Sequence, residues 1–183
     1  MPSFVGFIPT QNDHVDAFFE LAPLSRSDVV YDLGSGDGRL LYAALEKGAG
    51  RAVGIELNPD LVGKANTIAK SKSLQDKITF LTGDIMEFSL SDASVVLCYL
   101  SHYASSALKL KLIWELSPGS RVVMEMFPVP GWKPSKTTCR EGKQFYLYNM
   151  PPEISDENDV RDPLLDYLNY RSTSKKDKPH NKG

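Results

Sequence analysis

Cysteine is scarce in this 183-residue chain. The two present, Cys98 and Cys139, are too few for a disulfide framework or a zinc site. Cys98 lies in the apolar run "SVVLCYL" and reads as a small buried hydrophobe. No apolar run is long enough to span a bilayer, so no membrane partner is expected. The opening "MPSFVGFIPTQND" lacks a basic region leading into a long apolar segment, so no secretory leader is expected either. A reducing, cytoplasmic setting fits these absences. Internal repeats are missing too. Net charge is low, at -2, and argues neither for nor against nucleic acid.

What is present is the composition of one folded domain. Hydrophobic residues make up 42% and charged residues 24%, enough for a packed core. The length favours a single unit, expected over residues 1–150. Residues 151–183 read as a polar, flexible tail. From Arg171 to Gly183 the tail holds five Lys/Arg and one Asp, with no apolar residue to pack. It reads as a solvated end; contact with nucleic acid or an acidic partner is the less favoured alternative.

Hydrophobic periodicity then alternates along the chain. Thr10 with Asp13 resembles a capping box, and Val15, Phe18, Phe19 and Ala22 follow at helical spacing, predicting a helix from about Asn12 to Leu24. "VVYDL" reads as a buried strand. Leu40, Leu41, Ala44 and Leu45 form a helical stripe closed by Gly48 and Gly50. "RAVGIEL" is a second strand. Asn58 caps the next helix, with Pro59 at its first position. "KITFLTGDI" and "ASVVLCYL" supply two more strands. Ser101 to Leu116 reads as a helix, and "SRVVMEMF" as a fifth strand. Short β-like pieces around Thr137 to Cys139 and Phe145 to Asn149 suit an antiparallel edge. The order implies an α/β fold: a doubly wound, Rossmann-like, mostly parallel sheet in three αβα layers.

The chemistry concentrates in "VVYDLGSGDGRLL". In such sheets the ligand sits beyond the carboxyl ends of the strands. Gly34, Gly36 and Gly38 permit a sharp turn and close approach, with a helix expected to begin near Asp37. A dinucleotide loop usually reads G-x-G-x-x-G. Here the spacing is G-x-G-x-G, with Asp32 before the first glycine, Ser35 between glycines, and Asp37 inside the loop. Two carboxylates beside a pyrophosphate cost several kcal/mol unless neutralised, and Arg39 is a single cation. The loop therefore favours a cationic ligand. S-adenosyl-L-methionine, whose spent form is S-adenosyl-L-homocysteine, carries an ammonium and a cationic sulfur, and its carboxylate is expected on the loop N–H groups.

Two further acids extend the pattern. Glu56 ends the second strand in "GIELN", followed by Leu57 and Asn58, and can accept both ribose hydroxyls. Gly83, Asp84 and Ile85 follow the third strand, with Asp84 placed for the adenine amine and Ile85 for the ring. Each feature alone has an ordinary alternative: a tight turn, a solvated acid, a turn cap. Together they fall at successive strand ends of one sheet.

With these motifs the chain resembles a class I, seven-strand S-adenosylmethionine-dependent methyltransferase. "VYDLGSGDGRLL", "GIELNP" and "LTGDI" match that family's first three motifs, and the resemblance covers about Val5 to Asn149. "FIPTQNDHVDAFFELA" and "ELSPGSRVVMEMFPVPGWKP" are similar to a small group of protein lysine methyltransferases, archaeal broad-specificity and mitochondrial. The resemblance implies that Ile8, Pro9 and Thr10 cover the cofactor, and that "CYLSHY" faces the methyl group. It also implies protein substrates with exposed lysines. The Asp/Asn-Pro-Pro-aromatic signature of many amine methyltransferases is missing there, which disfavours a nucleic-acid base. Candidate acceptor-side residues are Tyr99, the Leu100 carbonyl, Ser101 and Trp132. No base is required, and no catalytic residue or metal is assigned. His102 reads as a surface or capping histidine, and Glu125 as either an attractor of the incoming ammonium or a core-edge acid. A monomer is expected. A small-molecule methyltransferase, a non-catalytic cofactor-binding protein and an NAD oxidoreductase are the competing readings.

Overall fold

The computed structural model describes residues 12–155. Helix α1 spans Asn12–Leu21 and precedes strand β1, Val29–Leu33. Then come α2 (Arg39–Glu46), β2 (Arg51–Glu56), α3 (Pro59–Ser71), β3 (Ile78–Thr82), a short 3-10 turn (Ile85–Glu87), β4 (Val95–Cys98), α4 (His102–Glu115) and β5 (Arg121–Glu125). The end of the described chain is β: β6 (Trp132–Lys133), β7 (Lys136–Arg140), β8 (Lys143–Asn149) and β9 (Glu153–Ile154).

The seven-stranded sheet runs β3-β2-β1-β4-β5-β8-β7. The first five strands pair in parallel; β8 lies antiparallel to both β5 and β7. The expected parallel sheet with an antiparallel edge is therefore present. The order reverses between β1 and β4, the switch point where a crevice opens.

The central strands are mostly apolar because both faces are covered. Alternate residues feed two cores. Val30, Ala52, Val95, Leu97, Val123, Phe145 and Leu147 pack beneath α1, α2 and α3. Tyr31, Val53, Val96, Val122, Met124 and Tyr148 pack on the other side with Leu108 and Leu112 of α4.

Local chemistry sets the boundaries. Asn58 accepts the Asp60 N–H at 2.9 Å, with Pro59 opening α3 as expected. Ser101 caps α4 by accepting the Ala104 N–H at 3.4 Å. Two expectations shift. Helix α1 stops at Leu21 rather than about Leu24, because Pro23 disfavours helical geometry in the residue before it. Helix α2 begins at Arg39 rather than near Asp37, because Gly38 holds a left-handed φ of 81°. Strands β6 and β9, two residues each, pair outside the main sheet and tie Glu153–Ile154 to Trp132–Lys133.

Candidate functional site: an acid-lined crevice at the switch point

The register places the key positions in one row. Glu56 pairs with Thr82, Leu33 with both Ile55 and Cys98, Cys98 with Met124, and Glu125 with Phe145. One step past Leu33 and Cys98, the row therefore reads Glu56, Gly34, Tyr99, Glu125 across β2, β1, β4 and β5. With strands ~4.8 Å apart, Glu56 and Glu125 stand at opposite ends of a crevice about 14 Å wide.

The glycine loop is held by its own backbone. Gly34 and Ser35 N–H donate to the Ile55 carbonyl at 2.8 and 3.1 Å, and Gly38 N–H donates to the Ser35 carbonyl at 2.8 Å. Gly36 N–H donates to Glu56 Oε2 at 3.0 Å. Donors that a phosphate-binding loop would aim outward are thus already engaged. The ligand's carboxylate, expected on the loop N–H groups, would find these four already engaged. Their engagement also strengthens the argument against pyrophosphate. Gly54 in β2 makes the packing possible: a Cβ there would meet Ser35 Oγ at 2.5 Å and the Phe80 ring at 2.7 Å.

The two loop acids differ in character. Arg39 grips Asp37 in a fork, Nε to Oδ1 at 3.0 Å and Nη2 to Oδ2 at 2.6 Å. The hydrogen bonds from Arg39 hold the Asp37 carboxyl below its ordinary value. Asp32 is 3% exposed. Burial first, then the charges of Glu56 and Asp37, push it up to about 8. A cation placed against Asp32 relieves that strain; a phosphate worsens it.

Glu56 spends one oxygen on Gly36 N–H and the other on Asn58 N–H, at 3.0 and 2.8 Å. A carboxylate has about four acceptor positions, so two hydroxyls can still be bound by an already oriented group. Asp84 accepts the Met86 N–H at 3.0 Å and so caps the 3-10 turn, which fixes Ile85 in a buried position beside the crevice. Gly83 N–H donates to the Glu56 carbonyl at 3.0 Å, tying the third strand end to the second. Leu57 is exposed next to Glu56. Pro9 and Thr10 lie outside the described residues.

Beyond β4 the candidates separate. Tyr99 is half-buried, and its hydroxyl accepts from Lys143 Nζ at 3.5 Å. Leu100 reaches over the glycine loop: a Cβ on Gly34 would lie 3.1 Å from its Cδ2. The Ser101 hydroxyl is committed to the helix cap. Trp132 is 3% exposed and packs edge-on against Tyr148, centroids 5.5 Å apart, so it belongs to the core rather than to the wall of an open channel. His102 opens α4 with its ring near Phe127 and Tyr103. Glu125 is fully buried, 3.1 Å from His14 Nδ1 and 3.3 Å from Lys143 Nζ. Neither His14 nor Lys143 stands out in the sequence. Nothing local marks Lys143, and His14 reads as one more residue of an amphipathic helix.

Comparison with known proteins gives a consistent picture. The model of one protein family, the ANTKMT methyltransferase domain, matches residues 32–136. A protein-lysine N-methyltransferase of Saccharolobus islandicus is 35% identical over 133 residues, 72% of this chain and 83% of that protein. The adenine nucleotide translocase lysine N-methyltransferase of Mus musculus is 39% identical over 125 residues, 68% of this chain. The match spans only 55% of the mouse protein's length. The crystal structure of an RNA methyltransferase from Salinibacter ruber, in complex with S-adenosyl-L-homocysteine, superimposes with a TM-score of 0.77. It is 41% identical, covering 82% of this chain and 98% of that one.

Proposed function

The chain belongs to the ANTKMT methyltransferase-domain family, and from that premise we propose that it transfers methyl groups to lysine side chains of proteins. It is a class I S-adenosylmethionine-dependent methyltransferase. The observation that carries the lysine reading is the match, from an archaeal and a mammalian side, to enzymes named for protein lysine. The crevice fits the cofactor: a buried, uncompensated Asp32 suits a cationic ligand, and Glu56 is preset for two hydroxyls.

Bound S-adenosylmethionine supplies an already activated methyl group, so the protein's part is placement. Asp32 would hold the cationic portion and Glu56 the ribose. Asp84, Ile85 and Leu57 would frame the adenine. Tyr99 and Leu100, one and two residues past β4, stand between the glycine loop and β5, where an acceptor must arrive. A lysine attacks only as the neutral amine, against an ordinary pKa of about 10.4. The site therefore has to disfavour its ammonium form.

A second reading, RNA as acceptor, is favoured by the RNA methyltransferase name of the 41% identical solved relative. Against it stands "CYLSHY", which lacks the Asp/Asn-Pro-Pro-aromatic group that many amine methyltransferases place there. Labelled cofactor offered with a protein extract and, separately, with total RNA decides between them. Label on lysines, located by mass spectrometry, supports the proposal; label on RNA alone refutes it.

We place this activity in the cytoplasm, on exposed lysines, with the enzyme acting as a monomer. The two free cysteines support the reducing compartment. Among the described residues no helix is long and apolar enough to cross a membrane.

A further inference from the structure

At the acceptor end, three elements converge on one buried carboxylate. Glu125 closes β5 with no exposure. His14 of α1, itself 1% exposed, brings Nδ1 to 3.1 Å from Glu125 Oε1. Lys143, the first residue of β8, brings Nζ to 3.3 Å from the same oxygen. The other oxygen, Oε2, has no hydrogen-bond partner among the described residues. Glu141, in the turn before β8, faces the far side of His14, at 3.6 Å from Nε2.

Lys143 does not stop at Glu125. Its Nζ also donates to the Tyr99 hydroxyl at 3.5 Å and lies 5.0 Å from the centre of the Tyr99 ring. The alternation of the sheet explains the meeting. Tyr99, Glu125, Lys143 and Phe145 all point to the α1 side, the side of Val123 and Leu97. Just beyond, Met126 takes a left-handed φ of 66°, which an L-residue adopts only at a cost, and its N–H donates to the Gln144 carbonyl at 2.7 Å. Backbone strain of this kind clusters at functional sites. A buried ion pair is a poor way to stabilise a sheet edge, since apolar packing of the same volume does as well or better. The cluster therefore needs a reason other than stability, and its place beside Tyr99 supplies one.

We propose that Lys143, tethered from behind by Glu125, is a positioning residue that fixes the Tyr99 phenol and presents a positive charge to the entrance used by the acceptor amine. The inference rests on the lysine reading above. Glu125 is wholly buried, while the Lys143 side chain is 29% exposed, so the field at the entrance is that of the cation rather than of the carboxylate. An incoming ammonium is repelled there and a neutral amine is not, which favours the nucleophilic form. The hydrogen bond from Lys143 turns the Tyr99 O–H away from Nζ and leaves an acceptor lone pair for the amine N–H. Lys143 touches neither acceptor nor cofactor in this role; it acts through Tyr99 and through its field. The charged and titratable groups facing it among the described residues are Glu125, His14 and Tyr99, with Glu141 behind His14.

The test uses the full chain with a lysine-bearing acceptor protein and four variants: Lys143→Met, Lys143→Arg, Tyr99→Phe and the Lys143→Met/Tyr99→Phe double. Lys143→Met is expected to lower kcat about 10-fold and move its acid limb up by about half a pH unit or more. Its affinity for S-adenosylmethionine should stay within about twofold. Lys143→Arg should restore the acid limb and most of kcat. In the Tyr99→Phe background, Lys143→Met should cost less than about twofold more, because residues acting as one unit are not additive. A Lys143→Met enzyme with unchanged kcat and pH profile overturns the inference, as do fully additive losses in the double variant. If Lys143→Met melts too low to assay, Lys143→Arg carries the test: the unaltered limb supports the proposal and a limb displaced like that of Tyr99→Phe refutes it. Failure of the lysine reading shows separately, as wild-type enzyme that labels RNA and no lysine.

Discussion

Replacing Asp32 by asparagine separates what the carboxylate does for the ligand from what it does to the fold. Asp32 is buried, and burial together with Glu56 and Asp37 raises it from 3.8 to about 8. The folded chain thus keeps a proton that the unfolded chain gives up near pH 4. Stability contributed by the protonated group is complete below the unfolded value, declines as pH climbs through the window from about 4 to 8, and is gone above 8. At about 1.4 kcal/mol per tenfold in proton affinity, the ceiling on the decline is on the order of 5 kcal/mol, and water entry brings it to about 2–3 kcal/mol. The neutral amide of the variant has no such decline. The Asp32→Asn protein should melt within about 3 °C of wild type at pH 5 and about 5–10 °C above it at pH 9. It should also lose at least about 100-fold in affinity for S-adenosylmethionine, about 3 kcal/mol. The assay is thermal unfolding from pH 5 to 9, with and without cofactor, with the difference between the proteins as the readout. Parallel curves for the two proteins, or a variant stabilised by cofactor as much as wild type, would refute the reasoning.

Other substitutions probe neighbouring links. Glu56→Gln removes the charge and keeps one acceptor where two N–H groups, of Gly36 and Asn58, need one each; it should raise KM for the cofactor about 10-fold or more and cost about 1–3 kcal/mol of stability; an unaltered KM counts against the ribose role. Gly54→Ala drives a methyl into Ser35 and Phe80, so the glycine loop shifts; a loss of about 1–3 kcal/mol in urea unfolding and weaker cofactor binding are expected together. At the opposite end of the sheet, burial works to raise Asp28, but hydrogen bonds from Ser94, Arg121 and Ser25 outweigh it and hold the carboxyl below its ordinary value. Its stabilisation is present above about pH 4 and fades as pH falls. Asp28→Ala should cost about 2–4 kcal/mol at pH 7 and leave cofactor affinity alone.

The parallel half of the fold is legible in the sequence because its signals are local. Buried strands appear as short, mostly apolar runs, and Asn58-Pro59 and Ser101 mark helix starts by side-chain chemistry that needs no tertiary context. The acids Asp32, Glu56 and Asp84 are legible for the same reason: each lies within two residues of the end of a strand that announces itself. The loop's internal bonding is not, because the Ile55 carbonyl that takes Gly34 and Ser35 N–H belongs to another strand. Trp132 reads as a loop aromatic, and only the contact with Tyr148 and the pairing with Ile154 reveal it as core. His14, Glu125 and Lys143 come from positions far apart, and nothing beside any one of them encodes the other two.

The central claim is that the crevice takes a cationic methyl donor because its loop offers a buried acid while the N–H groups of Gly34, Ser35, Gly36 and Gly38 are turned inward. Calorimetric titration of the wild-type chain with S-adenosylmethionine at pH 7, in buffers of different ionisation enthalpy, tests it most directly. Binding that ionises Asp32 should release close to one proton per cofactor, with no binding of NADH in the same buffers. Binding without proton release, or saturable binding of the dinucleotide, would contradict the account.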